Sequence, residues 1–188
     1  MIVLASASPR RKELLALIAS QFEIEVSDVD EVCAISDVRE LVCELARRKA
    51  EAVFAKRPAD TVIGADTVVL SPNGEIFGKP KDLRDARRMV SELSGKAHKV
   101  YTGVCIMYGQ ECCIDACETK VFFDQMEEED QETYIKTEQV MDKAGAYAIQ
   151  GGAAKYINRI EGDFFNVDGL PVAVVYKMLK KLKDEKFF

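Results

Sequence analysis

The ten-residue run Thr61-Val62-Ile63-Gly64-Ala65-Asp66-Thr67-Val68-Val69-Leu70 constrains this chain more than any other stretch. Its apolar and β-branched content gives it strand character, yet an aspartate stands in its middle. A carboxylate inside a strand this apolar is costly unless a cation, a metal or several hydrogen bonds compensate it. Gly64 lets another backbone approach closely beside it. A buried structural aspartate is the plain alternative; we read Asp66 as functional.

The elements around this strand alternate. Ile2 to Ala5 reads as a strand and Pro9 to about Ala19 as a helix, with Ser8 as its cap. Phe22 to Val26 reads as a second strand. Asp37 and Glu40 form a capping box that opens a helix running to about Ala55. Pro72-Asn73-Gly74 turns the Asp66 strand into a short partner at Glu75 to Phe77. Asp82 caps a helix ending near Gly95. Val100 to Tyr108 and Ile114 to Phe123 read as long strands joined through Gly109. The acidic stretch Glu127 to Glu132 suits a solvated helix start. Tyr156 to Ile160 and Phe164 to Val167 are expected to form a hairpin around Glu161-Gly162-Asp163. Pro171 opens a last helix, with Val172, Val175, Tyr176, Leu179 and Leu182 on one face. Early alternation followed by hairpins predicts an α/β domain with a mixed sheet.

At 188 residues the chain suits one domain, residues 1–188, that folds around a sizeable core. No apolar run reaches the roughly 20 residues of a membrane helix, and no signal peptide is visible, so a cytoplasmic protein is expected. A net charge of −6 counts against a general nucleic-acid binder, though not against a small anion in a local basic pocket. The six cysteines are read as free thiols. Cys112, Cys113 and Cys117 lack C-x-x-C spacing, and His98 is the single histidine.

Beyond Asp66, three places carry chemistry. Ser6-Ala7-Ser8-Pro9-Arg10-Arg11 puts two hydroxyls and two guanidinium groups at a helix start, where unpaired N–H donors favour anions. Arg10 and Arg11 lie about 100° apart around the helix and reach different directions. A capped helix with surface arginines is the competing reading. Lys49 falls on the apolar stripe of Val38, Leu41, Val42, Leu45, Ala46, Ala52 and Val53. Its ammonium therefore either snorkels outward or points into a cleft. Asp142-Lys143-Ala144-Gly145-Ala146-Tyr147-Ala148-Ile149-Gln150-Gly151 allows close backbone approach or simply a tight turn. Asp28, Asp30 and Glu31 offer oxygen ligands for a hard cation, and Gly78-Lys79-Pro80 a further ammonium. Neither a P-loop nor a dinucleotide-binding glycine motif is present.

Taken together, these segments resemble the Maf family of nucleoside triphosphate pyrophosphatases. The resemblance rests on SASPRRKELL at 6–15, VDE at 29–31, ARRKA at 46–50, IGADTVV at 63–69, GKP at 78–80, LSGKAHKVYTGV at 93–104, DKAGAYAIQG at 142–151 and GLP at 169–171. It implies a two-lobed, Maf/ITPase-like α/β fold, with a central mixed sheet flanked by helices and a deep cleft. It also implies hydrolysis between the α- and β-phosphates, a magnesium or manganese cofactor, and a homodimer. Ser8, Arg11, Glu31, Lys49, Asp66 and Lys79 match the family's catalytic and phosphate-binding positions. Glu31 and Asp66 are the expected metal ligands, with Asp66 also the implied proton acceptor. Arg10, Thr67 and Gln150 match the positions that mark its dTTP/UTP branch. A nucleotide-binding regulator of septum formation is the non-catalytic alternative. Two motifs depart from the family pattern. Glu138-Gln139-Val140 replaces G-E-P, and Asn166-Val167-Asp168-Gly169-Leu170-Pro171 replaces N-V-V-G-L-P. Asp168 either brings another carboxylate near the cleft or lies on the surface, and we read it as a surface residue.

Overall fold

The computed structural model describes residues 1–184. In chain order the elements are β1 (Ile2–Leu4), α1 (Pro9–Ala16), β2 (Glu23–Ile24), α2 (Val38–Phe54), β3 (Thr61–Leu70) and β4 (Ile76–Phe77). They continue with α3 (Leu83–Leu93), β5 (Ala97–Tyr108), β6 (Glu111–Phe123), α4 (Glu128–Thr137), β7 (Ile157–Glu161), α5 (Phe164–Asp168) and α6 (Val172–Asp184). The strands form a mixed sheet in the order β2-β1-β3-β5-β6-β7, with β4 on β3. β1 runs parallel to both β2 and β3, whereas β4 and β7 pair antiparallel. The chain divides into two compact units, and the division falls within β3, β5 and β6.

The first unit holds Met1–Asp66, Thr102–Cys117 and the chain from Gly169 onward. Period-two alternation sorts its strand residues onto opposite faces. Val3, Ala5, Val62 and Cys105 pack with Ala46, Ala50 and Val53 of α2. Leu4, Ile63, Val104 and Ile106 pack instead with Leu14 and Leu15 of α1 and with Val175, Leu179 and Leu182 of α6. Two glycines set how closely α2 approaches. A Cβ on Gly64 would lie 2.2 Å from the Ala46 carbonyl oxygen, and one on Gly103 would lie 2.2 Å from that of Val42. The helix backbone occupies the space a side chain would need.

The second unit holds Thr67–Tyr101 and Glu118–Asp168. Its core gathers Val69 and Phe77 with Met89, Val90 and Leu93 of α3, Tyr134 and Ile135 of α4, and Val121 and Phe123 of β6. Asp82 and Asp37 cap α3 and α2 as their positions predict, accepting from the Asp85 and Glu40 amides at 2.7 and 2.9 Å.

Three expectations are corrected. Phe164 to Val167 is not the second strand of a hairpin but part of helix α5. The Asp163 carboxylate accepts from the Phe165 and Asn166 amides at 2.7 and 3.2 Å, which caps a helix and ends strand pairing. The Asn166 side chain, fully buried, donates to the Val100 carbonyl at 3.1 Å and to Thr119 Oγ1 at 2.9 Å, drawing the turn inward. Tyr176 does not share the buried face of α6; it is exposed. On α2 the buried small residue is Ala50, packed under Gly64, while Ala52 is only half-buried.

Candidate active site

The first unit assembles four of the expected side chains from separate elements. Asp66 ends that unit's part of β3 and is 7% exposed, so its carboxylate needs a partner. Lys49, one turn after Leu45 on α2, supplies it: its Nζ donates to Asp66 Oδ1 at 2.6 Å. The same ammonium lies 2.7 Å from Glu31 Oε1, in the segment between β2 and α2. Lys49 therefore does not snorkel to solvent. Its side chain is 12% exposed, against 53% for Glu31, so a buried pair is extended by a carboxylate that water reaches. The close approach of α2 at Gly64 is what brings Lys49 within reach of a residue two positions along the strand.

Arg11 fastens the backbone beside this pair. Its Nε donates to the Gly169 carbonyl at 2.8 Å, and its Nη1 to the Ala65 carbonyl at 2.9 Å and to Ser6 Oγ at 3.3 Å. Burial pulls the guanidinium below its usual range, and the Asp66 charge works in the opposite direction. Arginine stays cationic regardless. Ser8 is the N-cap of α1, its Oγ accepting from the Arg11 amide at 3.5 Å. Ser6 Oγ in turn accepts from the Ser8 amide at 3.2 Å. The hydroxyls expected to bind an anion thus also build the helix start. Arg10, next to Arg11 on α1, is half-buried.

The remaining expected residues belong to the second unit. Thr67 follows Asp66 on β3 and is half-buried, and Lys79 is exposed. Lys79 follows Gly78, whose carbonyl accepts from the Gly145 amide at 3.0 Å. Gly145 takes φ +67, and a Cβ there would stand 2.9 Å from Val69 Cγ2. The glycine in the A-G-A segment therefore answers both a left-handed turn and close packing on β3. Gln150 is exposed and donates through Nε2 to Asp168 Oδ2 at 2.9 Å. Asp168 is buried at 5% exposure, which corrects its expected place on the surface. The substituted Glu138 also finds a role: its Oε1 accepts from the Gly152 amide at 3.1 Å and holds the loop beyond Gln150.

Among the described residues no group of three or more His, Cys, Asp or Glu side chains is placed to hold a metal. Two carboxylates, Asp66 and Glu31, flank one ammonium. Such a donor set fits a magnesium-like cation, which takes one or two carboxylates and completes its shell with water and substrate phosphates. None of the six cysteines forms a disulfide, in line with the reading from the sequence.

The model of the family described as Maf-like protein matches residues 1–182. The chain belongs to the Maf family. Its curated Maf relatives include the dTTP/UTP pyrophosphatase of Thermococcus kodakarensis, 47% identical over 95% of each chain. The protein of the same name from Pyrococcus abyssi is 45% identical over 96% of this chain and 95% of its own. That of Bacillus cytotoxicus is 44% identical over 95% and 94%. Among solved structures, the Staphylococcus aureus Ham1 protein matches this Maf chain at a TM-score of 0.48 and 18% identity. The match covers 65% of this chain and 71% of that one, too slight a likeness to carry an argument.

Proposed function

We propose that this Maf protein is a nucleoside triphosphate pyrophosphatase that hydrolyses dTTP and UTP to the monophosphate and pyrophosphate. The observation that carries the reading is the Lys49 ammonium held 2.6 Å from Asp66 and 2.7 Å from Glu31 in a largely buried setting. Full-length relatives bearing the name dTTP/UTP pyrophosphatase support the substrate class. No helix among the described residues is long and apolar enough to cross a membrane. A free nucleotide of the cytoplasm is the proposed partner.

Asp66 and Glu31 are the side chains that would hold a divalent cation; when bound, it supplies charge neutralisation for phosphate oxygens and acidifies a water. Lys49 orients both carboxylates and offers an N–H donor to a phosphate oxygen. Arg11 contributes chiefly by fixing the Ala65 carbonyl, and with it the backbone that presents Asp66. Ser8, Arg10 and the first amides of α1 form an anion-seeking helix start. By resemblance, Lys79 assists with the phosphates, and Thr67 and Gln150 choose the base. With Oδ1 already accepting from the Lys49 ammonium, the first task of Asp66 is to bind and orient.

The test is pyrophosphate release from dTTP and UTP by the purified chain with magnesium or manganese. Asp66→Asn is expected to abolish turnover, and EDTA to stop the wild type. Pyrophosphate release by Asp66→Asn at the wild-type rate would overturn the role given to Asp66. Release of free phosphate alone would overturn the reaction.

A further inference from the structure

We propose that Arg48 is a positioning residue: it fixes the backbone on either side of Glu31 and thereby sets how tightly the Asp66–Glu31 pair holds a divalent cation. The inference rests on the pyrophosphatase reading and deepens it. Glu31 is the exposed member of that pair, and residues 25–36 around it lie in neither helix nor strand. A ligand carried on such a segment is only as well placed as the side chains that tether it.

Two neighbouring residues of α2 supply tethers. Lys49 reaches the Glu31 carboxylate itself, at 2.7 Å. Arg48, about 100° away around the helix, reaches the backbone instead. Its Nη1 donates to the Val32 carbonyl at 3.1 Å and to the Asp30 carbonyl at 3.4 Å, and its Nη2 to Cys33 Sγ at 3.6 Å. The two carbonyls flank Glu31, so one corner of the guanidinium closes the turn that projects the ligand. The Val32 amide, donating to Asp30 Oδ1 at 2.8 Å, tightens the same turn. The guanidinium is itself held: Nε donates at 2.8 Å to Oε1 of Glu44, one turn earlier on α2. A planar fork can face Glu44 with one edge and the turn with the other, whereas an ammonium cannot. Without Arg48, Glu31 spends a smaller fraction of its time in the ligating position, and the apparent affinity falls by that fraction. Coulomb's law alone predicts the opposite, because removing a positive charge beside a cation site tightens binding. The sign of the change therefore separates positioning from charge.

The experiment titrates Mn²⁺ into the purified chain without nucleotide, reading unbound Mn²⁺ by electron paramagnetic resonance. It compares the wild type with Arg48→Ala, Arg48→Lys, Glu31→Gln and the Glu31→Gln/Arg48→Ala double variant. Arg48→Ala should weaken binding by on the order of tenfold, the low end for groups that support a metal ligand. Arg48→Lys keeps the charge but not the fork, so it should weaken binding too, by less. In Arg48→Ala, hydrogen exchange at the Val32 amide should quicken while the urea midpoint stays that of the wild type. In the Glu31→Gln background Arg48→Ala should leave the affinity where it is. Unchanged or tighter Mn²⁺ binding in Arg48→Ala overturns the inference, as does a loss of equal size without the Glu31 carboxylate. A wild type that binds no Mn²⁺ overturns it as well. A wild type that binds Mn²⁺ yet releases no pyrophosphate from dTTP or UTP overturns the proposed reaction alone, and the titration still decides the role of Arg48.

Discussion

Lys49 shows how one side chain can serve two carboxylates of different character. Its bond to Asp66 is shielded, whereas Glu31 stands half in water. Deleting the ammonium leaves the Asp66 carboxylate buried without its nearest counter-charge, and a broken buried pair costs about 3–5 kcal/mol. Lys49→Met should therefore lower stability by an amount near the bottom of that range, because solvent at the Glu31 side relieves part of it. Urea unfolding followed by circular dichroism would measure this, and pyrophosphate release should fall in parallel. A Lys49→Met variant as stable as the wild type would show that water already compensates Asp66. Arg11 differs in kind. With three protein oxygens accepting from its guanidinium, it acts on the site mainly through the backbone it holds.

At the level of elements, the decisive contact is α2 against β3 and β5. Helices normally rest on a sheet through side chains, yet here two glycines let α2 settle backbone to strand. The gain is placement: Lys49 reaches Asp66 because its helix lies this low. Gly64→Ala would drive a methyl to 2.2 Å from the Ala46 carbonyl oxygen and 2.7 Å from the Ala50 amide nitrogen. Neither atom can yield without moving the helix, so we expect a loss of about 3 kcal/mol, the upper part of the range for overpacked cores. Pyrophosphate release should drop further than stability alone explains, since Lys49 would ride away from Asp66. Calorimetric melting paired with kinetics below the transition would check both. Full activity in a folded Gly64→Ala protein would mean that the Lys49–Asp66 distance has slack.

For the molecule as a whole, one buried base governs the mildly acidic range. His98 is 2% exposed among Phe123 and Tyr147, with its Nε2 2.7 Å from the Tyr147 hydroxyl. Burial pushes its pKa down to about 3. The fold thus keeps the ring neutral, while the unfolded chain protonates it below about pH 6.5. Unfolding takes up a proton in that window, so stability present above pH 6.5 is lost as pH falls toward 3, at roughly 1.4 kcal/mol per pH unit. As the single histidine, His98 dominates the slope between pH 6.5 and 5, before carboxylates join. Urea midpoints across that range should shift in the wild type and stay nearly flat in His98→Gln; equal slopes would refute the assignment. The sequence by itself determined the helix caps at Asp37 and Asp82, the β3 strand with its costly aspartate, and the family to which the chain belongs. Each follows from local chemistry or from motifs readable in order along the chain. It misread Phe164 to Val167 as a strand and Asp168 as a surface residue. Their states depend on partners far away in sequence: Val100 and Thr119 for Asn166, and Gln150 for Asp168. That Lys49 meets both Asp66 and Glu31 was likewise decided only in three dimensions. Periodicity places a lysine on a buried face, but only the packed helix shows which carboxylates lie at its tip.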